Sequence, residues 1–137
     1  MAKKILIVDD EPDSVSFIRS ILDDNGYESI SSPNGVEGLR LATEEHPDLI
    51  LLDLIMPEKG GISMFQELKS EPSLMQTPVI VVSGLSQLTG TDFKHFFSNQ
   101  RREIDKESEK YKTPDGFMEK PIDPPQLIML IKKLLEE

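Results

Sequence analysis

The chain has 137 residues, 15 Lys and Arg against 25 Asp and Glu for a formal charge of −10, two His, no Cys and 37% hydrophobic residues. That length and composition describe one globular domain, residues 1–137, with no room for a second. The acidity argues against direct nucleic-acid binding, the lack of Cys excludes disulfides, thiolate zinc sites and iron–sulfur clusters, and two His are too few for an imidazole-rich metal site. No apolar run exceeds five residues, too short to cross a membrane, and Met1-Ala2-Lys3-Lys4 does not open a signal peptide. A cytoplasmic protein is the expectation.

Ile5-Leu6-Ile7-Val8 is continuously apolar and runs into Asp9-Asp10. A strand without alternation is buried on both faces, as in parallel sheets covered by helices. Val15, Ile18, Ile21 and Leu22 then form a helical stripe after Pro12-Asp13, closed by Asn25-Gly26. A weaker strand covers 28–31. Pro33-Asn34-Gly35 opens a second helix with Val36, Leu39 and Ala42 on its stripe and Leu41 to one side. Leu49-Ile50-Leu51-Leu52 is the next apolar run and ends at Asp53. Met64, Phe65 and Leu68 mark a third helix after Gly60-Gly61, and Val79-Ile80-Val81-Val82 ends at Ser83.

The 32 residues from 84 to 115 are too many for a tight connection. Thr89-Gly90-Thr91-Asp92 reads as a helix start and Thr113-Pro114-Asp115-Gly116 as a stop. Phe93, Phe96 and Phe97 can pack on a core, but beyond them only Ile104 and Tyr111 are apolar. Attractive and repulsive charge pairs nearly cancel, each worth about 0.2–0.5 kcal/mol. A long, partly projecting helix is expected there, with local disorder as the alternative. A weaker strand follows at 116–119, ending on Lys120. Leu127, Ile128, Ile131, Leu134 and Leu135 share one stripe of a last helix, whose Lys132 and Lys133 suit the C-terminal dipole. The order βαβαβαβαβα predicts a doubly wound, five-stranded parallel sheet in a three-layer α/β/α arrangement.

Function in such sheets gathers at the carboxyl ends of the strands. Those ends carry Asp9 and Asp10, Asp53, Ser83 and Lys120, so these residues are expected in one crevice. Three carboxylates repel each other unless a cation joins them. With oxygen donors and no Cys or His nearby, the natural ion is Mg²⁺. A lysine beside the metal completes a site for a dianionic phosphoryl group, Ser83 can donate to one of its oxygens, and a carboxylate can act as nucleophile toward phosphorus. The plainer alternatives are that Asp9-Asp10 caps the first helix and that Asp53 is a turn residue before Met56-Pro57. His46 and His95 read as surface residues, Asp23-Asp24 and Glu44-Glu45 as solvated helix faces, and the six Met as core filler.

Ile5-Leu6-Ile7-Val8-Asp9-Asp10-Glu11, Leu51-Leu52-Asp53-Leu54-Ile55-Met56-Pro57, Val81-Val82-Ser83-Gly84 and Phe117-Met118-Glu119-Lys120-Pro121 together resemble the response-regulator receiver domains of two-component signalling. The resemblance implies a flavodoxin-like fold with strand order 2-1-3-4-5. It implies Asp53 as phosphoacceptor from a histidine kinase or a histidine phosphotransfer protein. Mg²⁺ would be held by Asp10 and Asp53, by Asp9 through water and by the backbone carbonyl of Ile55. Ser83 becomes the switch hydroxyl, Lys120 the phosphate-pairing amine and Phe117 the switch aromatic, with output on the face around the fourth helix, fifth strand and fifth helix.

Two departures stand out. Ser83 and Lys120 lie 37 positions apart, longer than is usual in the family. Residues 92–112 hold six Lys and Arg and five Asp and Glu, so they are weakly positive while the rest of the chain is acidic. The segment 84–115 is thus a candidate partner surface, or a tolerated insertion. The chain also ends just after the last helix, so output is expected through a partner protein, by a monomer or a phosphorylation-linked dimer. Apolar Ile55 and Leu85, two residues beyond Asp53 and Ser83, predict a long-lived phosphoryl group. An aspartyl phosphatase would carry a second carboxylate where Ile55 stands, and a flavin carrier would bring an anionic phosphate against Asp9, Asp10 and Asp53. The remaining alternative is a pseudo-receiver that binds partners without phosphorylation.

Overall fold

The computed structural model describes residues 2–53, 61–83 and 114–136. Five strands, β1 (Lys4–Val8), β2 (Glu28–Ser32), β3 (Leu49–Asp53), β4 (Val79–Ser83) and β5 (Gly116–Glu119), form one sheet in the order β2-β1-β3-β4-β5. Every pairing is parallel. The described helices are α1 (Pro12–Asp24), α2 (Gly35–Glu45), α3 (Gly61–Ser70) and α4 (Pro124–Leu135). The expected doubly wound sheet is therefore present, with β2 one residue longer than its sequence pattern suggested. The helix expected within 84–115 falls almost wholly outside the described residues.

The continuous apolar runs serve two cores at once. Ile5 and Ile7 of β1, Leu49 and Leu51 of β3, Ile80 and Val82 of β4 and Met118 of β5 pack under α1 and α4. The alternate residues Leu6, Val8, Ile50, Leu52, Val79 and Val81 pack against α2 and α3. This is why β1, β3 and β4 show no polar alternation: neither face meets water. Helix α1 buries Ile18, Ile21 and Leu22, with Pro12 in its first turn. Gly26, just past its end, takes φ +81°, a conformation glycine reaches without a Cβ penalty. Helix α2 is capped by Asn34, whose side chain accepts from the Glu37 N–H at 2.9 Å. Helix α3 buries Met64, Phe65 and Leu68, and α4 buries Leu127, Ile128 and Ile131.

On α2, Ala42 is buried and Leu39 packs half-buried against the core as expected, but Val36 is 57% exposed, and Gly35 and Gly38 are buried in its stead. The cause is close approach. A Cβ on Gly38 would lie 2.9 Å from Val8 Cγ2 and 3.0 Å from Met64 Cε. The helix therefore turns its smallest residues to the sheet, leaving Leu39 and Leu41 half-buried on either flank. The methionines are not uniformly core either: Met64 and Met118 are buried, but Met129 on α4 is 71% exposed.

The sequence pattern gave no sign of a buried lysine, yet Lys69 at the end of α3 is only 4% exposed. Its Nζ donates to the carbonyls of Met75 and Thr77 at 3.2 and 3.0 Å and lies 3.6 Å from Asp115 Oδ2. Asp115 Oδ2 in turn accepts from the Val79 N–H at 2.8 Å. Lys69 thus ties the turn after α3 to the starts of β4 and β5, at the end of the sheet away from Lys120. Burial pushes its pKa below the ordinary lysine value, although the nearby Asp115 opposes the shift.

Because the α2 contact depends on a missing side chain, Gly38→Val should crowd Val8 and Met64. Overpacking costs about 1–3 kcal/mol, whereas valine gains only a few tenths over glycine in helix propensity. The variant should unfold at a clearly lower urea concentration than the wild type, with an unchanged m-value.

Candidate functional site

The sheet register builds the site. Val8 pairs with Leu52, so Asp9 and Asp53 come next along neighbouring strands. By alternation both fall on the side of Ile7 and Leu51, the α1 and α4 side. On β5, Met118 lies on that same side, which brings Lys120, two residues on, back toward them. Asp9 is held firmly: its N–H donates to the Ser32 carbonyl at 3.0 Å and its Oδ1 accepts from the Glu11 N–H at 2.9 Å. Glu11, not Asp9 or Asp10, occupies the N-cap of α1, and its side chain makes no cap hydrogen bond. The helix-capping reading of Asp9-Asp10 therefore does not describe what they do.

Lys120 Nζ donates to Asp9 Oδ2 at 3.0 Å and lies 3.7 Å from Asp53 Oδ2 and 3.6 Å from Glu11 Oε1. Asp9 and Asp53 are buried, at 4% and 5% exposure, while Asp10 is half-buried and Glu11 exposed. Burial alone would disfavour the ammonium. The hydrogen bond to Asp9 and the charges of Asp53, Asp9 and Glu11 outweigh it, and the Lys120 pKa is raised above the ordinary value. One carboxylate oxygen from each of Asp9, Asp10, Glu11 and Asp53 can lie within 4.8 Å of the others. Among the described residues, four carboxylates thus face one ammonium, an excess of negative charge that a divalent cation would offset. The donor set holds only oxygen, which suits a hard ion such as Mg²⁺.

Not every sequence candidate can be placed in this cluster. Ser83 ends β4, with its neighbour Val82 paired to Asp53 and Ser83 itself paired to Glu119; its side chain lies outside the described residues. So do Ile55 and Leu85. Phe117 pairs with Val81 and packs, half-buried, with the α2 and α3 core, on the opposite face of the sheet from Lys120. Sequence reasoning quoted Glu11 but gave it no role; its position directly after two site carboxylates was the available signal. Phe17 also went unremarked. It is 45% exposed on α1 and lines a cleft of about 410 Å³ together with Ser14, Ile18, Lys120, Pro121 and Ile122.

Parallel strands in this order, with acidic residues just after β1 and at the end of β3 and a lysine just after β5, define a receiver-type α/β domain. Comparison with known proteins agrees. The response regulator receiver domain family matches residues 5–92. The polar-differentiation response regulator DivK of Brucella ovis is 32% identical over 135 residues, covering 98% of each chain. Among solved structures, the signal receiver domain of a signal transduction histidine kinase from Syntrophus aciditrophicus is 31% identical, with a TM-score of 0.78 over 98% of this chain and 91% of that one. The chemotaxis protein CheY4 of Vibrio cholerae, at 21% identity, shares the fold with a TM-score of 0.76 over 98% of this chain and 99% of its own. The chain belongs to the response regulator receiver family, whose members are signalling switches. Among the described residues no helix is long and apolar enough to cross a membrane.

The raised Lys120 pKa carries a sign. Because the folded value exceeds the ordinary one near 10.5, its stabilisation is fully present below that pH and is lost as pH rises through the folded value. Lys120→Met should therefore be less stable than the wild type by a constant amount from pH 7 to about pH 9. That difference should shrink above about pH 10.4, as read from urea midpoints across the alkaline range.

Proposed function

We propose that this chain is a phosphorylation-dependent receiver switch that takes a phosphoryl group on Asp53 from a histidine kinase or a histidine phosphotransfer protein. The observation that carries this reading is Lys120 Nζ set 3.7 Å from Asp53 Oδ2 and 3.0 Å from Asp9 Oδ2 in a pocket with excess carboxylate. An Asp53 oxygen attacks phosphorus, the bond from phosphorus to the donor nitrogen breaks, and the imidazole leaves with the electron pair. Lys120 is close enough to exchange a carboxylate partner for a phosphoryl oxygen, and the Ser83 hydroxyl is assigned a second one. Asp10 and Asp53 would hold Mg²⁺, with Asp9 acting through water and Ile55 through its carbonyl. When bound, the ion supplies charge neutralisation for the transferring group.

Re-partnering of Lys120 and Ser83 favours one of two conformations, with Phe117 as the aromatic that follows Ser83. The signal then passes to a protein partner, by a monomer or a phosphorylation-linked dimer, and residues 84–115 are the candidate contact. The working location is the cytoplasm. The cleft beside Phe17 is the docking place assigned to the phosphohistidine donor, because it is apolar and continuous with Lys120.

Incubation with acetyl phosphate and Mg²⁺ should add a single phosphoryl mass to the intact protein, absent in Asp53→Asn and in EDTA. No adduct in the wild type would favour the pseudo-receiver reading. Phe17→Ala should slow transfer from a phosphohistidine protein by on the order of tenfold, as expected for an exposed aromatic anchor. The same variant should leave uptake from acetyl phosphate unchanged, since a small donor needs no docking surface.

A further inference from the structure

Three carboxylates share the Lys120 ammonium, and they differ sharply in access. The side chains of Asp9 and Asp53 are 3% and 6% exposed, while that of Glu11 is 64% exposed. Of these three, Glu11 is therefore the carboxylate most open to a donor arriving from solvent. The base of Glu11 is fixed, because its N–H donates to Asp9 Oδ1 at 2.9 Å and its carbonyl accepts from the Val15 N–H at 3.1 Å. Its Oε1 rests 3.6 Å from Lys120 Nζ.

We infer that Glu11 is a specificity-determining residue, whose negative charge at the mouth of the site disfavours small dianionic phosphodonors relative to donors of lower charge. This rests on the reading of Asp53 as phosphoacceptor. Two effects act in the same direction. Glu11 repels a dianion about twice as strongly as a monoanion at the same distance. It also competes with the incoming phosphoryl group for Lys120. Glu11 favours donors whose charge is reduced or compensated, as on a protein surface.

Two small donors separate charge from size. Acetyl phosphate is a dianion at neutral pH. Its transfer forms the Asp53 oxygen–phosphorus bond and breaks the bond from phosphorus to the acetyl oxygen, and acetate leaves with the electron pair. Phosphoramidate carries one net negative charge, with its nitrogen protonated. Its transfer breaks the phosphorus–nitrogen bond and releases neutral ammonia. Both steps balance without a further reactant.

The experiment measures initial phosphorylation rates by intact mass for the wild type, Glu11→Gln, Glu11→Ser and Glu11→Asp, with each donor at saturating Mg²⁺. The quantity read is the ratio of the acetyl phosphate rate to the phosphoramidate rate, in which any change in metal affinity cancels. At low ionic strength the ratio should rise about 3- to 10-fold in Glu11→Gln, and the difference from the wild type should shrink in 1 M salt. Glu11→Ser, a good N-cap residue, should show the same rise, which guards against misfolding of one variant. Glu11→Asp should keep the ratio within about twofold of the wild type, since an exposed charge interaction is weakly sensitive to one methylene. An unchanged ratio in both neutral variants overturns the inference, and so does Glu11→Asp shifting as far as Glu11→Gln. Failure of the wild type to take phosphate from either donor overturns the Asp53 reading and this inference with it, a result distinct from equal ratios among active variants.

Discussion

Lys120 Nζ lies within 3.0 Å of Asp9 Oδ2 and 3.7 Å of Asp53 Oδ2, and the rest of the architecture can be read as what this contact requires. The three residues lie at or just past the carboxyl ends of β1, β3 and β5, strands that are remote in sequence. A parallel sheet with the order β2-β1-β3-β4-β5 brings the carboxyl ends of those strands to one edge. Two of the three groups are carboxylates taken almost completely out of water. Burying such groups is costly unless a cation stands beside them, and Lys120 supplies one positive charge to a cluster of four acids. The contact is therefore incomplete by design of its charges. It holds the acids together while leaving an excess of negative charge that a further cation would offset.

The precision of that edge depends on both cores. Asp9 and Asp53 continue the alternation of Ile7 and Leu51, so a slip of one residue in either strand would turn a site carboxylate toward α2 and α3. Such a slip is opposed on both sides, because each strand buries a full set of apolar residues above and below. At the far end of the sheet, Lys69 and Asp115 fix the starts of β4 and β5. The same register that aligns β5 places Phe117 in the α2 and α3 core while sending Lys120 to the other face. Strand β5 thus carries Phe117 on one side of the sheet and leads to Lys120 on the other.

Much of this was legible in the sequence because the signals were local. A continuous apolar run leading to Asp, Asp or Ser reads as a strand buried on both faces with a polar residue at its carboxyl end, and β1, β3 and β4 are such strands. What was not legible depended on partners distant in the chain. Val36 fits a helical stripe by spacing, yet the buried arc of α2 is set by how closely Gly38 meets Val8 and Met64. Lys69 looks like a surface residue until the carbonyls of Met75 and Thr77 and the carboxylate of Asp115 close around it. Glu11 belongs to the site through Lys120, more than one hundred positions away, a relation that no periodicity encodes. The 84–115 segment drew contrary signals from its charges and its sparse apolar residues, and almost all of it lies outside the described residues.

The carboxylates gathered around Lys120 are proposed to form a divalent-cation site. The most direct test is thermal unfolding as Mg²⁺ is titrated into the wild type and Asp10→Asn. A ligand that binds only the folded state stabilises by RT ln(1 + [L]/Kd). The wild-type Tm should therefore keep rising with the logarithm of Mg²⁺ beyond saturation, and NaCl of equal ionic strength should not reproduce the rise. In Asp10→Asn the rise should be much smaller. A wild-type Tm indifferent to Mg²⁺, or an equal rise in Asp10→Asn, would contradict the account.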